Sequence, residues 1–177
     1  MELIDGECAV FLGNEGGFQR GINSEYSFPY AKADSIIVGK NGPILEAHGG
    51  DCRVVAFFQK EIRLGALMHI DAADIFTDRH EELIDTLFSA IPEISHADTH
   101  VLICGDIDDV WSPVLLELRE ARKDWHQRIK KCLSERKLER VEEILSGCGK
   151  HVKVFTRKCL AKILNNKGKL IKKIVFG

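Results

Sequence analysis

From residue 34 onward the chain reads as short apolar runs rich in β-branched and aromatic residues, separated by turn formers. "ADSIIVGKNGPILEA" sets two apolar segments around Asn41-Gly42-Pro43 and predicts a strand, a turn and a strand. "CRVVAFFQ" and "IRLGALMHI" follow as two further strands joined through Lys60-Glu61. The period then changes. In "DRHEELIDTLFSAI", Leu83, Leu87 and Ile91 recur four apart with Ile84 and Phe88 beside them, one apolar stripe of a helix that Pro92 ends. "THVLICGDIDD" predicts a central strand bounded by Gly105 and aspartates. A long helical pattern starts near Pro113, with Leu115, Leu116, Leu118, Ala121, Trp125 and Ile129 on its apolar side, and a second helix is expected over 134–146, stopping near Gly147. "HVKVFTR", "LAKIL" and "LIKKIVF" predict closing strands around a turn at 166–168. Ahead of all this, "CAVFL" is a short apolar piece followed by a loop-like stretch rich in glycine and asparagine.

This order predicts an α+β fold, a layered mixed β-sheet sandwich with flanking helices, rather than a doubly wound sheet. Residues 1–33 read as an N-terminal extension, partly loop, and 34–177 as one domain. At 177 residues, 45% apolar and 29% charged, the chain can bury one good core. No apolar run reaches the roughly 18 residues of a membrane helix and no signal-peptide layout opens the chain, so membrane insertion is not expected. The expected location is the cytoplasm, with secretion as an effector left open.

The net charge of −2 conceals an asymmetry: residues 1–113 carry −13 and residues 114–177 carry +11. That division suits complementary faces within one fold, or a basic face for an acidic partner. Regular interleaving of aromatic and basic residues is absent, so nucleic acid is not an expected partner. Six cysteines occur without a C-x-x-C pair, which points to reduced packing thiols rather than a zinc ribbon or a redox site.

One stretch carries candidate chemistry. In "HGGDCRVVAFFQKEIRLGALMHI", Gly49 and Gly50 permit a tight turn before Cys52, and His69 ends the partner strand. A hairpin closed at Lys60-Glu61 would set Cys52 directly opposite His69, on one face and roughly 4.5–5.5 Å apart at Cα. A cysteine nucleophile needs a thiolate, a base and donors for the oxyanion. By spacing alone, a chance hairpin serves as well as a catalytic pair.

"GGDC", "RVVAFFQKEIRLGALMHI" and "VLICGD" resemble the receptor-glutamine deamidases of bacterial chemotaxis, the CheD family. In that family a glycine-containing loop leads into the nucleophilic cysteine, and a later segment, matched here by "LGALMH" with Gly65 and His69 in register, bears the base. The following helix and the closing "NNKGKLIKKI" fit the same order. The resemblance covers 34–177 in outline and is motif-level only over 48–70. The family's threonine six residues ahead of the cysteine is Glu46 here. The third member is therefore open among Glu46, His48, Asp51 and a backbone carbonyl. The arrangement is also similar to that of the cytotoxic necrotizing factor deamidases.

The resemblance implies a hydrolase, a cysteine-dependent protein-glutamine deamidase that turns a partner protein's Gln into Glu with release of ammonia. Cys52 would be the nucleophile and His69 the acid and base, with Gly49, Gly50 and the Cys52 N–H shaping the oxyanion loop. The alternative is an inactive binding module on the same fold that uses the basic C-terminal face. No cofactor is implied. His48, Cys52, His69 and Asp71 are types that suit zinc, but no short motif anchors them and no metal is assigned. "GDIDD" lacks the full calcium-loop pattern and "SGCGK" the full phosphate-loop pattern. His80, His96 and His100 are expected at the surface or in caps, His126 and His151 are given no role, and Cys104 is expected to be buried.

Overall fold

The computed structural model describes residues 1–13, 16–21, 34–48, 52–95, 97–105, 115–136, 138, 140–144, 151–165 and 167–176. It is an α+β sandwich of two sheets with helices on one side. The larger sheet takes β1 (Cys8–Leu12), β2 (Gln19–Gly21), β3 (Ser35–Lys40), β5 (Arg53–Gln59), β6 (Leu64–Ile70), β7 (His100–Cys104) and β8 (Arg140–Ile144) in the order β2-β1-β3-β6-β5-β7-β8. The smaller takes β4 (Ile44–His48), β9 (His151–Phe155), β10 (Leu160–Leu164) and β11 (Leu170–Val175) in the order β11-β10-β9-β4. Every described pairing is antiparallel except the parallel pair β7 and β8.

The larger sheet is buried on both faces. Ile36, Val38, Val55, Phe57, Met68 and Ile70 point to helices α1 (Arg79–Ala90) and α2 (Leu115–Glu135), meeting Leu83, Leu87, Trp125 and Ile129. Alternate residues Ile37, Val54, Ala56, Phe58 and Leu67 meet Leu45, Val152, Val154, Ala161 and Ile163 of the smaller sheet. This double burial explains why β5 and β6 read as continuous apolar runs rather than alternating ones.

One element assignment changes. The segment 134–146 is not a second helix: α2 ends at Glu135 and 140–144 form a strand parallel to β7. Parallel neighbours need a long crossover, and α2 supplies it. Strands β3 and β4 do form on either side of Asn41-Gly42-Pro43, but they lie in different sheets. Gly42 N–H donates to Thr156 Oγ1 at 2.9 Å, and that hydroxyl donates to the Pro43 carbonyl at 2.7 Å, so the turn is tied to the end of β9.

"CAVFL" is β1, paired along its length with β3, so this piece of the N-terminal region is part of the larger sheet. Among the described residues no helix is long and apolar enough to cross a membrane. His80, expected at the surface or in a cap, is 1% exposed because it sits on the core face of α1 with Leu83, Ile84 and Leu87. Cys104 is buried.

After β6 the chain makes a short 3-10 turn (Ala72–Asp74) that brings Asp74 to Asp34. The hydrogen bond between the two carboxyls, then burial, then Asp34's charge push the Asp74 pKa up to about 6, with a hydrogen bond from Thr77 opposing. The folded chain therefore holds this proton more tightly than the unfolded chain, whose Asp titrates near about 3.9. The associated stability is present below about pH 4 and is lost as pH rises through about 6. Asp74→Asn, which keeps a donor and removes the charge, is expected to stabilise the protein more at pH 8 than at pH 4. Thermal unfolding at the two pH values checks this, and an equal gain at both contradicts it.

Candidate active site

The chain passes from the smaller sheet to the larger between His48 at the end of β4 and Arg53 at the start of β5. Cys52 is there, half-buried, immediately before β5. Gly49, Gly50 and Asp51 lie outside the described residues. His69 is the penultimate residue of β6 and is 8% exposed.

The hairpin register differs from the expected one by two residues. Gln59 faces Leu64 and Val54 faces His69, so Cys52 is not directly opposite His69. The turn is longer than two residues: Lys60 to Arg63 form it, with Arg63 at φ 51° and its N–H on the Lys60 carbonyl at 3.1 Å. A tight two-residue hairpin turn demands positive φ that Lys-Glu does not readily adopt, and the chain places that strain at Arg63 instead. Cys52 precedes β5 and lies outside the ladder, two residues along the chain from Val54, the residue that faces His69.

Across the other edge of β6, His69 faces Ser35 of β3, which is 1% exposed. Directly opposite residues share a face, so the Ser35 hydroxyl and the His69 imidazole both point between the sheets. The sequence reading passed over Ser35, whose only signal is that it opens an apolar strand.

The candidate third members separate. Glu46 is held by Lys153 at 2.8 Å, its direct partner across β4 and β9. His48 faces His151 in the same ladder, and their rings meet edge to face with centroids 3.7 Å apart. Burial lowers the His48 pKa first, then the neighbouring His151; Glu46 opposes and His69 adds a further lowering. His48 is therefore a neutral imidazole near pH 7, close enough to His69 for the two to feel each other's charge. His151, given no role from sequence, belongs to this cluster.

Behind Cys52 the larger sheet is stiffened by a buried cation. Arg53 is fully buried, donates from Nη1 to the Cys52 carbonyl at 3.3 Å, and lays its guanidinium 5.2 Å from the centre of the Trp125 ring of α2. Such a cation over an aromatic face is worth about 2 kcal/mol when desolvated. The next residue of α2, His126, has its pKa lowered by burial and by Arg53, against a 3.2 Å contact with Glu143 of β8. Gly105, at the end of β7, is where this side chain passes: a Cβ there would lie 2.4 Å from Arg53 Cδ and Nη1. Gly65 serves the opposite face, since a Cβ would come 3.1 Å from Thr156 and 3.2 Å from Val154 of the smaller sheet.

The outer face of the smaller sheet adjoins the cluster. Its cross-strand rows read Glu46, Lys153, Lys162, Lys173, and beside it Ile44, Phe155, Leu160, Val175. Like charges directly opposite repel, and only the Glu46 end of the lysine row is neutralised by a described acid.

No family model and no curated protein matches the chain. Among solved structures it is similar to the Neisseria meningitidis protein NMB0706, described as family-model DUF152, with a TM-score of 0.38 and 12% identity. That likeness covers 60% of this chain and 51% of the other, so the chain spans about half the length of the protein it matches.

The contact between Gly105 and Arg53 makes a direct prediction. Gly105→Ala is expected to displace Arg53 and destabilise the protein by about 1–3 kcal/mol, the usual range for overpacking a filled core. Urea unfolding measures it; an unchanged midpoint contradicts the packing described.

Proposed function

We propose that the protein is a cysteine-dependent protein-glutamine deamidase, with Cys52 as nucleophile and His69 as acid and base. The observation that supports it is that half-buried Cys52 leads directly into β5, two residues before Val54, the residue that faces His69 on β6. The resemblance of residues 48–70 to the CheD family supplies the reaction class.

In this reading the Cys52 thiolate attacks the side-chain carboxamide carbon of a glutamine on a partner protein. The backbone N–H of Cys52 donates to the oxyanion, and Arg53, by holding the Cys52 carbonyl, fixes the orientation of that peptide segment. His69 gives its proton to the departing ammonia and then takes one from the water that hydrolyses the thioester. The products are glutamate and ammonium, with no redox step and no cofactor. Ser35 takes the orienting role that a threonine holds in the resembling family, since it faces His69 directly while Glu46 is occupied by Lys153. His48, neutral and adjacent, keeps a second positive charge away from His69 when that residue becomes an imidazolium.

The lysine row favours a second reading, an inactive module that binds an acidic protein through the outer face of the smaller sheet. Within the deamidase reading the same row recruits an acidic flank of the substrate. The two readings part on one experiment. Wild-type protein and the variants Cys52→Ala, His69→Ala and Ser35→Ala are incubated with a protein extract, and glutamines converted to glutamate are mapped by peptide mass spectrometry. The deamidase reading expects sites that vanish with Cys52→Ala, slow on the order of a hundredfold or more with His69→Ala, and slow less with Ser35→Ala. Sites unaffected by Cys52→Ala, or none at all, favour the binding module.

A further inference from the structure

A second cluster lies away from Cys52, between the first turn of α1 and the last turns of α2. His80 and Glu81 of α1 and Cys132 of α2 each offer one ligand atom, and these atoms lie within 4.8 Å of one another. Cys132 is 4% exposed and His80 1%, while Glu81 reaches solvent. His80 carries the strongest hint. Neither of its ring nitrogens has a hydrogen-bond partner among the described residues, although the ring is fully enclosed. A buried polar group left unsatisfied is costly, and a structure rarely keeps two on one ring without a use.

We propose that His80, Glu81 and Cys132 form a zinc site that ties α1 to α2. The three ligand types, imidazole, carboxylate and thiolate, are those of protein zinc, and three of them leave a fourth position for water. Metal-ligand bonds of about 2.0–2.3 Å place tetrahedral ligand atoms about 3.5 Å apart, so side-chain rotations that close the cluster by about 1 Å complete it. Charge balances as well. Binding releases the Cys132 thiol proton to solvent, and the thiolate and the Glu81 carboxylate together cancel the two positive charges of the ion.

The surroundings fit a ligating thiolate. Arg136, just past the end of α2, donates from Nη1 to Cys132 Sγ at 2.7 Å and to the Cys132 carbonyl at 2.9 Å, and its other end is held by Asp85 of α1. Such a donor orients a sulfur ligand and tempers its charge, and its own charge is balanced by Asp85 rather than set against the metal. The pair His80-Glu81 is one dipeptide and Cys132 lies on a different helix, so no short sequence motif announces the site.

The test uses cobalt as a spectroscopic stand-in for zinc, in the Cys52→Ala protein so that the half-buried thiol of the candidate active site does not compete. Titration of the chelator-treated protein is expected to show one equivalent of Co²⁺ bound with a thiolate-to-cobalt charge-transfer band, displaced by Zn²⁺ and absent when Cys132→Ser is added. Absence of the band, or its survival in Cys132→Ser, overturns the site. Should Cys132→Ser fail to fold by circular dichroism, Glu81→Gln at an exposed position decides. It is expected to keep the band and weaken cobalt roughly tenfold or more, and undiminished affinity overturns the assignment.

Discussion

The register of β5 against β6 is the constraint from which the rest follows. Both strands are buried along their whole length and on both faces, one face filled by α1 and α2 and the other by the smaller sheet. A slip of one residue would exchange the two sets of side chains, moving His69 into the helix-facing core and Met68 into the space between the sheets. Packing on two sides thus forbids odd slips outright. With the register fixed, His69 is set between Ser35 and Val54, and Cys52 immediately precedes β5.

The rim is made rigid by groups from several elements. Arg53 joins the peptide of Cys52 to Trp125, and Gly105 clears the path of its side chain. A buried guanidinium is costly to desolvate, and removing its contacts would leave a charge stranded in the core. Keeping it next to the candidate nucleophile therefore exchanges stability for a fixed backbone at the point where an oxyanion donor is needed. On the solvent side the electrostatics are gentler. Glu46 and Lys153 pair at the edge, and the imidazoles of His48 and His151 meet edge to face beside them.

Much of this was legible in the residues, for physical reasons. The α+β sandwich follows from runs whose β-branched content and turn punctuation mark strands, and α1 from a stripe at period four. The expected hairpin is two residues out of register with the one formed: Val54, rather than Cys52, faces His69. What failed was non-local. The strand 140–144 has apolar spacing that a helix could also use, and only its parallel pairing with β7 decides. Asn41-Gly42-Pro43 announces a turn, but nothing local says that Thr156 will fix it as a passage between sheets. Ser35, His151 and Arg53 come to the site from elements 17 or more residues away from Cys52 or, for Arg53, as an apparently ordinary strand residue. His80 and Cys132 meet only because α1 and α2 pack side by side.

The most direct measurement of the Cys52–His69 assignment is the pH dependence of alkylation at each cysteine, with substoichiometric iodoacetamide and peptide mapping, beside a His69→Ala control. An activated thiol paired with an imidazole is labelled well below the free cysteine range of about 8.5. The account predicts selective labelling of Cys52 near pH 6 that disappears in the control. Labelling of Cys52 only near pH 8.5, with the same profile in His69→Ala, would contradict it.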